Sequence, residues 1–236
     1  MSIKKHIPNI VTLGNLFCGT LATIFAVGGH FEMTALFVVL GIFLDFFDGF
    51  FARKLNVASE LGLQLDSLAD VVTSGLVPAL ALFHLLKLAI TPSWDTHQIL
   101  PYFGLLVVLA SAYRLAKFNI STEQSNYFIG LPTPANALLV MSLPLILAYQ
   151  NNDSYNAIIL NPAFLIVTTI LSCFLLNAPI KLIALKFKTW NFSENASRYI
   201  LVIFSITALI IFKFAGIPLL IIFYIILSLI NPPKYA

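Results

Sequence analysis

Apolar residues fill this chain in long blocks, separated by short polar or charged stretches. Eight blocks can be marked, at roughly 11–29, 32–53, 61–86, 98–118, 134–149, 162–181, 197–213 and 216–231. Each is long enough, or nearly so, for a helix crossing about 30 Å of hydrocarbon. The fifth is short, which suits a tilted or partly re-entrant helix. Pro78 in the third block and Pro144 in the fifth are expected to kink their helices. The stretch 150–161, Q-N-N-D-S-Y-N-A-I-I-L-N, reads as a polar loop. The pattern predicts an all-α, polytopic membrane helix bundle of about eight transmembrane helices. It forms a single integral membrane domain over 1–236, with a six-helix core over 1–185 and two further helices over 186–236. Those last two have almost no polar content and read as scaffold or as an oligomer contact.

Composition supports the same class. Of 236 residues, 59% are hydrophobic and 10% charged, against about 25% charged in a soluble domain. The net charge of +3 is small, and no nucleic-acid partner is expected. Cys18 and Cys173 both lie in apolar blocks, so neither a disulfide framework nor a zinc site is indicated. The first apolar run contains Asn15 and lacks a small-residue cleavage site, so it reads as a retained first helix.

The distribution of charge gives an orientation. With the N-terminus inside, Lys4, Lys5, Arg53, Lys54, Arg114, Lys117, Lys181, Lys186, Lys188, Arg198 and Lys234 face the cytoplasm. Only Lys87 and Lys213 remain outside. The positive-inside rule then places both termini in the cytoplasm of a cell (inner) membrane.

One stretch breaks the apolar pattern in a way that demands chemistry. D-F-F-D-G-F-F-A-R, eight further residues and G-L-Q-L-D-S-L-A-D put Asp45, Asp48, Asp66 and Asp70 inside two apolar blocks, in a chain with ten acidic residues. At about 100° per residue, Asp45, Asp48, Gly49, Ala52 and Arg53 share an arc of roughly 140°. Gly62, Asp66 and Asp70 form a stripe at i, i+4 and i+8. Each aspartate at mid-membrane costs about 2.5–3.5 kcal/mol, and mutual repulsion adds to that unless protons or a cation intervene. Carboxylates without Cys or His neighbours suit a hard divalent ion such as Mg²⁺ or Mn²⁺. Four on facing helices suit two such ions, clamping a phosphate or diphosphate. The histidines His30, His84 and His97 fall near the opposite face and read as interfacial.

The pattern D-x-x-D-G-x-x-A-R-x8-G-x-x-x-D-x-x-x-D resembles the signature of the CDP-alcohol phosphotransferases, membrane enzymes of phospholipid synthesis. Asp45, Asp48, Gly49, Ala52, Arg53, Gly62, Asp66 and Asp70 fill every fixed position. The resemblance implies CDP-diacylglycerol as donor, metal ligation by Asp45, Asp48, Asp66 and Asp70, and Asp70 as the general base. It also implies CDP-diacylglycerol contacts from Asp45, Gly49 and Arg53. An Asn/Thr pair at the start of helix one contacts the nucleotide in that family, which nominates Asn9 and Thr12. Both could equally cap the helix. Ser59, in the loop after helix two, is nominated for the nucleotide and could equally cap helix three. Homodimers are common in the family.

A second stretch bears on the acceptor. S-A-Y-R-L-A-K-F-N at 111–119 and F-I-G-L-P-T-P-A-N-A at 128–137 resemble R-L-A-R-F-N and G-L-P-x-P pieces of the phosphatidylserine-forming branch. Arg114 and Lys117 share a helix face, and snorkelling to the membrane surface competes with a role in binding an anion. The resemblance makes Arg114, Lys117 and Asn119 the acceptor-binding candidates and L-serine the acceptor. Lys117 stands where the branch carries a second arginine, which removes a bidentate fork. Two alternatives stay open: another acceptor such as glycerol 3-phosphate or an inositol phosphate, and a cation-coupled transporter, since intramembrane carboxylates often mark ion paths.

Overall fold

The computed structural model describes residues 6–90, 99–120, 127–184 and 192–232, with side chains in the last span from Asn195. Lys4, Lys5, His97, Lys186, Lys188 and Lys234 lie outside the described residues. Helix occupies every one of the eight apolar blocks. They are α1 (Ile7–Val27), α2 (Phe31–Lys54), α3 (Glu60–Asp70) running through a π-helical turn (Val71–Leu76) into α4 (Val77–Ala89), and α5 (Leu106–Ile120) preceded by a 3₁₀ turn. After them come α6 (Thr133–Tyr149), α7 (Asp153–Ile159), α8 (Pro162–Asn177), α9 (Phe192–Phe212) and α10 (Gly216–Ile230). Among the described residues five runs are long and apolar enough to cross a membrane: 7–27, 31–54, 60–89, 100–120 and 195–230. A sixth arises if α7 and α8, bent by 60°, count as one span.

The run 195–230 is not one rod. Lys213 takes a left-handed backbone, φ 49°, and the Phe204 and Phe223 rings stack at 4.0 Å. The chain therefore doubles back into an α9–α10 hairpin. Large apolar side chains cover the outer faces, among them Ile10, Phe17, Ile24, Phe43 and Phe46, as expected where lipid rather than water is the solvent.

Several details differ from the sequence expectation. The stretch 150–161 is not a plain loop: Asn152 accepts from the Tyr155 N–H at 2.8 Å and starts α7. Helix over the sixth block ends at Asn177, and Lys181–Ile183 forms a strand, β2, antiparallel to β1 (Tyr127–Ile129). The distortion expected at Pro78 falls one turn earlier, as the π-helical turn. Proline lacks an N–H and its ring crowds the carbonyl four residues back, here Ser74, and a widened turn relieves that crowding. Helix continues through Pro144.

The hairpin is stitched to the β-ribbon. Tyr224 donates to the Ile183 carbonyl at 3.0 Å, the Ile183 N–H donates to Ser228 Oγ at 3.2 Å, and Arg198 donates to the Ala184 carbonyl at 3.0 Å. Leu131, Leu182, Leu201, Ile221 and Leu227 form the apolar cluster beneath these bonds. The ribbon leads into α6 through Gly130, whose φ is +71° and where a Cβ would sit 2.5 Å from the Leu176 carbonyl oxygen. Only glycine fits that turn.

Candidate active site

Polar side chains collect at one end of the bundle. Thr12 in the second turn of α1 donates to Asp48 Oδ2 at 2.6 Å, with the Pro8 carbonyl also at 3.0 Å. Asn119 at the end of α5 accepts from Ser67 Oγ at 3.1 Å and donates to Gln64 Oε1 at 3.3 Å. Thr133 at the start of α6 donates toward Asp70 Oδ2 at 3.5 Å. These bonds gather the start of α1, the end of α2, the length of α3, the end of α5 and the start of α6. Far-end contacts are of another kind: Gln150 bonds the Phe212 carbonyl and the Ala215 N–H, both at 3.0 Å, beside Lys213.

Close helix approach holds the acidic residues in place. A Cβ on Gly41 would lie 2.6 Å from Thr73 Cγ2 and 2.8 Å from Asn15 Oδ1, so glycine lets α2 press against α1 and the π-helical turn. This contact fixes the axial position of the last turns of α2 relative to α3. The result is a tight acidic trio: Asp45, Asp48 and Asp66 each offer an oxygen, all within 4.8 Å of one another. Asp48 is buried, and Asp66 Oδ1 is buried with no hydrogen-bond partner among the described residues.

Asp70 stands beside the trio rather than within it. It is 7% exposed and is approached by Asn15 Nδ2 at 3.4 Å as well as by Thr133. Arg114, 8% exposed, lies in its electrostatic field. Arg53 folds back over its own helix, its Nη1 only 3.4 Å from where a Gly49 Cβ would be, and it interacts electrostatically with Asp48. Asn9 Oδ1 and Ser59 Oγ sit 3.3 and 3.2 Å from the Gly62 Cβ position.

The other nominated residues divide. Asn9 and Thr12 do not cap α1, whose N-cap position is His6 with no side-chain cap. Ser59 does cap α3, accepting from the Gly62 N–H at 3.1 Å. Arg114 points inward, while Lys117 is exposed, so the two do not act from one place. Asn119 is engaged with α3, where it braces the helix that carries Asp66. His30 and His84 pack against Phe25, Phe31 and Phe83, away from the aspartates. Sequence reasoning missed Asn15 and Thr133 as partners of Asp70. Each is a polar residue inside an apolar helix one turn from another: Thr12 with Asn15, and Thr133 with Asn136.

The donor set fits a hard cation. It is all carboxylate, it converges on one point, and one buried oxygen is orphaned, a costly state that a divalent ion relieves. The fold and site thus define a class: a membrane-embedded helical bundle with an acidic centre at one end that could hold a divalent cation, flanked by arginines.

Comparison narrows the class. A sequence profile of the CDP-alcohol phosphatidyltransferase family matches residues 5–176, and the chain belongs to that family. It is 38% identical over 143 residues to a CDP-diacylglycerol–serine O-phosphatidyltransferase of Bacillus subtilis, covering 59% of this chain and 75% of that one. A protein of the same name from Helicobacter pylori is 38% identical over 136 residues, 57% of this chain and 55% of its own. An archaetidylserine synthase of Methanothermobacter thermautotrophicus is 28% identical over 138 residues, 58% and 56% of the two chains. The chain thus spans between about half and three quarters of these relatives' lengths. Family membership leaves the transporter reading without support.

Proposed function

We propose that the protein transfers a phosphatidyl group from CDP-diacylglycerol to the hydroxyl of L-serine, giving phosphatidylserine and CMP. The observation that carries this is the Asp45–Asp48–Asp66 trio with Asp70 and Arg114 beside it, in a chain similar to serine phosphatidyltransferases. Asp45, Asp48 and Asp66 would hold a divalent cation, Mg²⁺ or Mn²⁺, and Asp70 would help hold a second. When bound, the ions supply charge neutralisation to the diphosphate and the departing CMP.

The chain's own side chains do the rest. Arg53 adds a fixed positive charge toward the phosphates. Asn9, Thr12 and Ser59 border the face where the nucleotide lies, and Thr12 also fixes the Asp48 rotamer. Asp70 takes the serine hydroxyl proton as that oxygen attacks the β-phosphorus; the new O–P bond forms as the P–O bond to CMP breaks. Asn15 and Thr133 orient Asp70 for this step. Arg114 pairs with the serine carboxylate. A dianionic phosphate acceptor would call for more cations than one buried arginine, with Lys117 exposed, which favours serine. The basic residues at the aspartate end favour a site opening to the cytoplasm, with both termini on that side. A homodimer is carried over from the family resemblance alone.

The test is CMP release by purified protein in detergent with CDP-diacylglycerol, Mg²⁺ or Mn²⁺, and each candidate alcohol. Release is expected with L-serine, to vanish on chelation, and to fall about 10²–10⁴-fold in Asp70→Asn. Release with glycerol 3-phosphate but not serine would overturn the acceptor.

A further inference from the structure

Three elements meet at Asp70, and each carries a second polar residue one turn farther from the acidic end. Ser74 follows Asp70 within the π-helical turn, Ser111 precedes Arg114 on α5, and Asn136 follows Thr133 on α6. Ser111 packs against the backbone next to Ser74, its Cβ 3.1 Å from where a Gly75 Cβ would be. All three residues are 0% exposed. Among the described residues Ser74 Oγ, Ser111 Oγ, both amide atoms of Asn136 and the Nε of Arg114 have no hydrogen-bond partner.

Among the described residues Ser172 on α8 is also unpartnered, but Thr169 and Ser228, equally buried, each donate to the carbonyl four residues back, the usual way to satisfy a hydroxyl within a helix. Ser74 and Ser111 forgo it. Asn136 forgoes every bond an amide can make, though buried polar groups are nearly always paired. Unpaired groups at three positions on three elements, each one turn from Asp70, Arg114 or Thr133, point to a ligand.

We propose that Ser74, Ser111 and Asn136 form the floor of the acceptor pocket and bind the ammonium and carboxylate of a small zwitterionic amino alcohol. The proposal rests on the serine reading above and deepens it. Two hydroxyl oxygens and the Asn136 Oδ1 accept from an ammonium group. The Asn136 Nδ2 and Arg114 donate to a carboxylate. The floor carries no charge of its own, so with Arg114 it suits a ligand with one carboxylate and rejects a dianionic phosphate. Held this way, the acceptor's hydroxyl projects back toward Asp70.

The test compares Asn136→Leu, Ser74→Ala and Ser111→Ala with wild type, measuring KM for L-serine, KM for CDP-diacylglycerol and the thermal midpoint in detergent. Asn136→Leu is expected to raise the serine KM about tenfold or more, with the CDP-diacylglycerol KM within about twofold. Its thermal midpoint should be unchanged or higher, because an unsatisfied amide has been removed. The serine variants, which each lose one atom and keep the packing, should shift the serine KM by about threefold or more in the same direction. An unchanged serine KM with a lowered midpoint would reveal a structural water site and overturn the proposal, as would both KM values rising together. Wild-type protein that releases no CMP with serine would overturn the underlying reading and the proposal with it, before any variant is compared.

Discussion

The Thr12–Asp48 contact does two things at residue scale. At 2.6 Å it is a short bond from a hydroxyl to a carboxylate, the charge-assisted kind worth about 1.5–3 kcal/mol. It also holds Asp48, a member of the acidic trio, in one orientation. Thr12→Val keeps the shape and deletes the bond. The expected outcome is a rise in the Mn²⁺ concentration needed for half-maximal activity, by roughly tenfold given that energy. Titrating Mn²⁺ against CMP release checks it. The aspartates themselves were legible from sequence, since helical spacing alone aligns Asp45 with Asp48 and Asp66 with Asp70. The choice between capping and binding at Thr12 was not, because both roles ask for the same hydroxyl. Asn136 stood in plain view in P-T-P-A-N-A, but burial without a partner is a three-dimensional property.

At the scale of elements, the ribbon and the hairpin form a brace for the start of α6. Two strands of three residues carry no periodicity that a sequence reader could use, and the hairpin's apolar surface suggested only a scaffold. Tyr224 and Ser228 were the signal: two polar side chains four apart on an otherwise apolar helix. Tyr224→Phe removes the hydroxyl bonded to Ile183 and orphans a buried carbonyl, at a cost of about 1–3 kcal/mol. A lowered thermal midpoint is expected, with the serine KM more affected than the CDP-diacylglycerol KM, since α6 carries Thr133 and Asn136. Thermal unfolding and steady-state kinetics on one preparation would measure both.

For the whole molecule, the question is which way the bundle stands. The described basic residues at the site end are Arg53, Lys54, Arg114, Lys117, Lys181 and Arg198, while Lys87 and Lys213 lie toward the other. Helix positions were readable because membrane helices are long apolar runs. The number of crossings was not, since α6 is short, α7 and α8 are bent, and α9 and α10 turn on a single left-handed residue. Single-cysteine variants settle the orientation: Ala58→Cys, between α2 and α3, should resist an impermeant maleimide added to intact cells. Asn151→Cys, before α7, should react with it. The reverse pattern would invert the topology and put the aspartates outside.

The π-helical turn after Asp70 has a consequence best put as phase. An α-helix advances about 100° per residue, so one residue accommodated in a wide turn rotates everything before it by about that angle relative to everything after. In the run Glu60–Ala89, the aspartates belong to the first part and Val77, Leu82, Leu85 and Leu86, which fill the core, to the second. The wide turn acts as a fixed phase shifter between a face tuned for chemistry and a face tuned for packing. Each can be set without dragging the other out of register, on a single continuous helix.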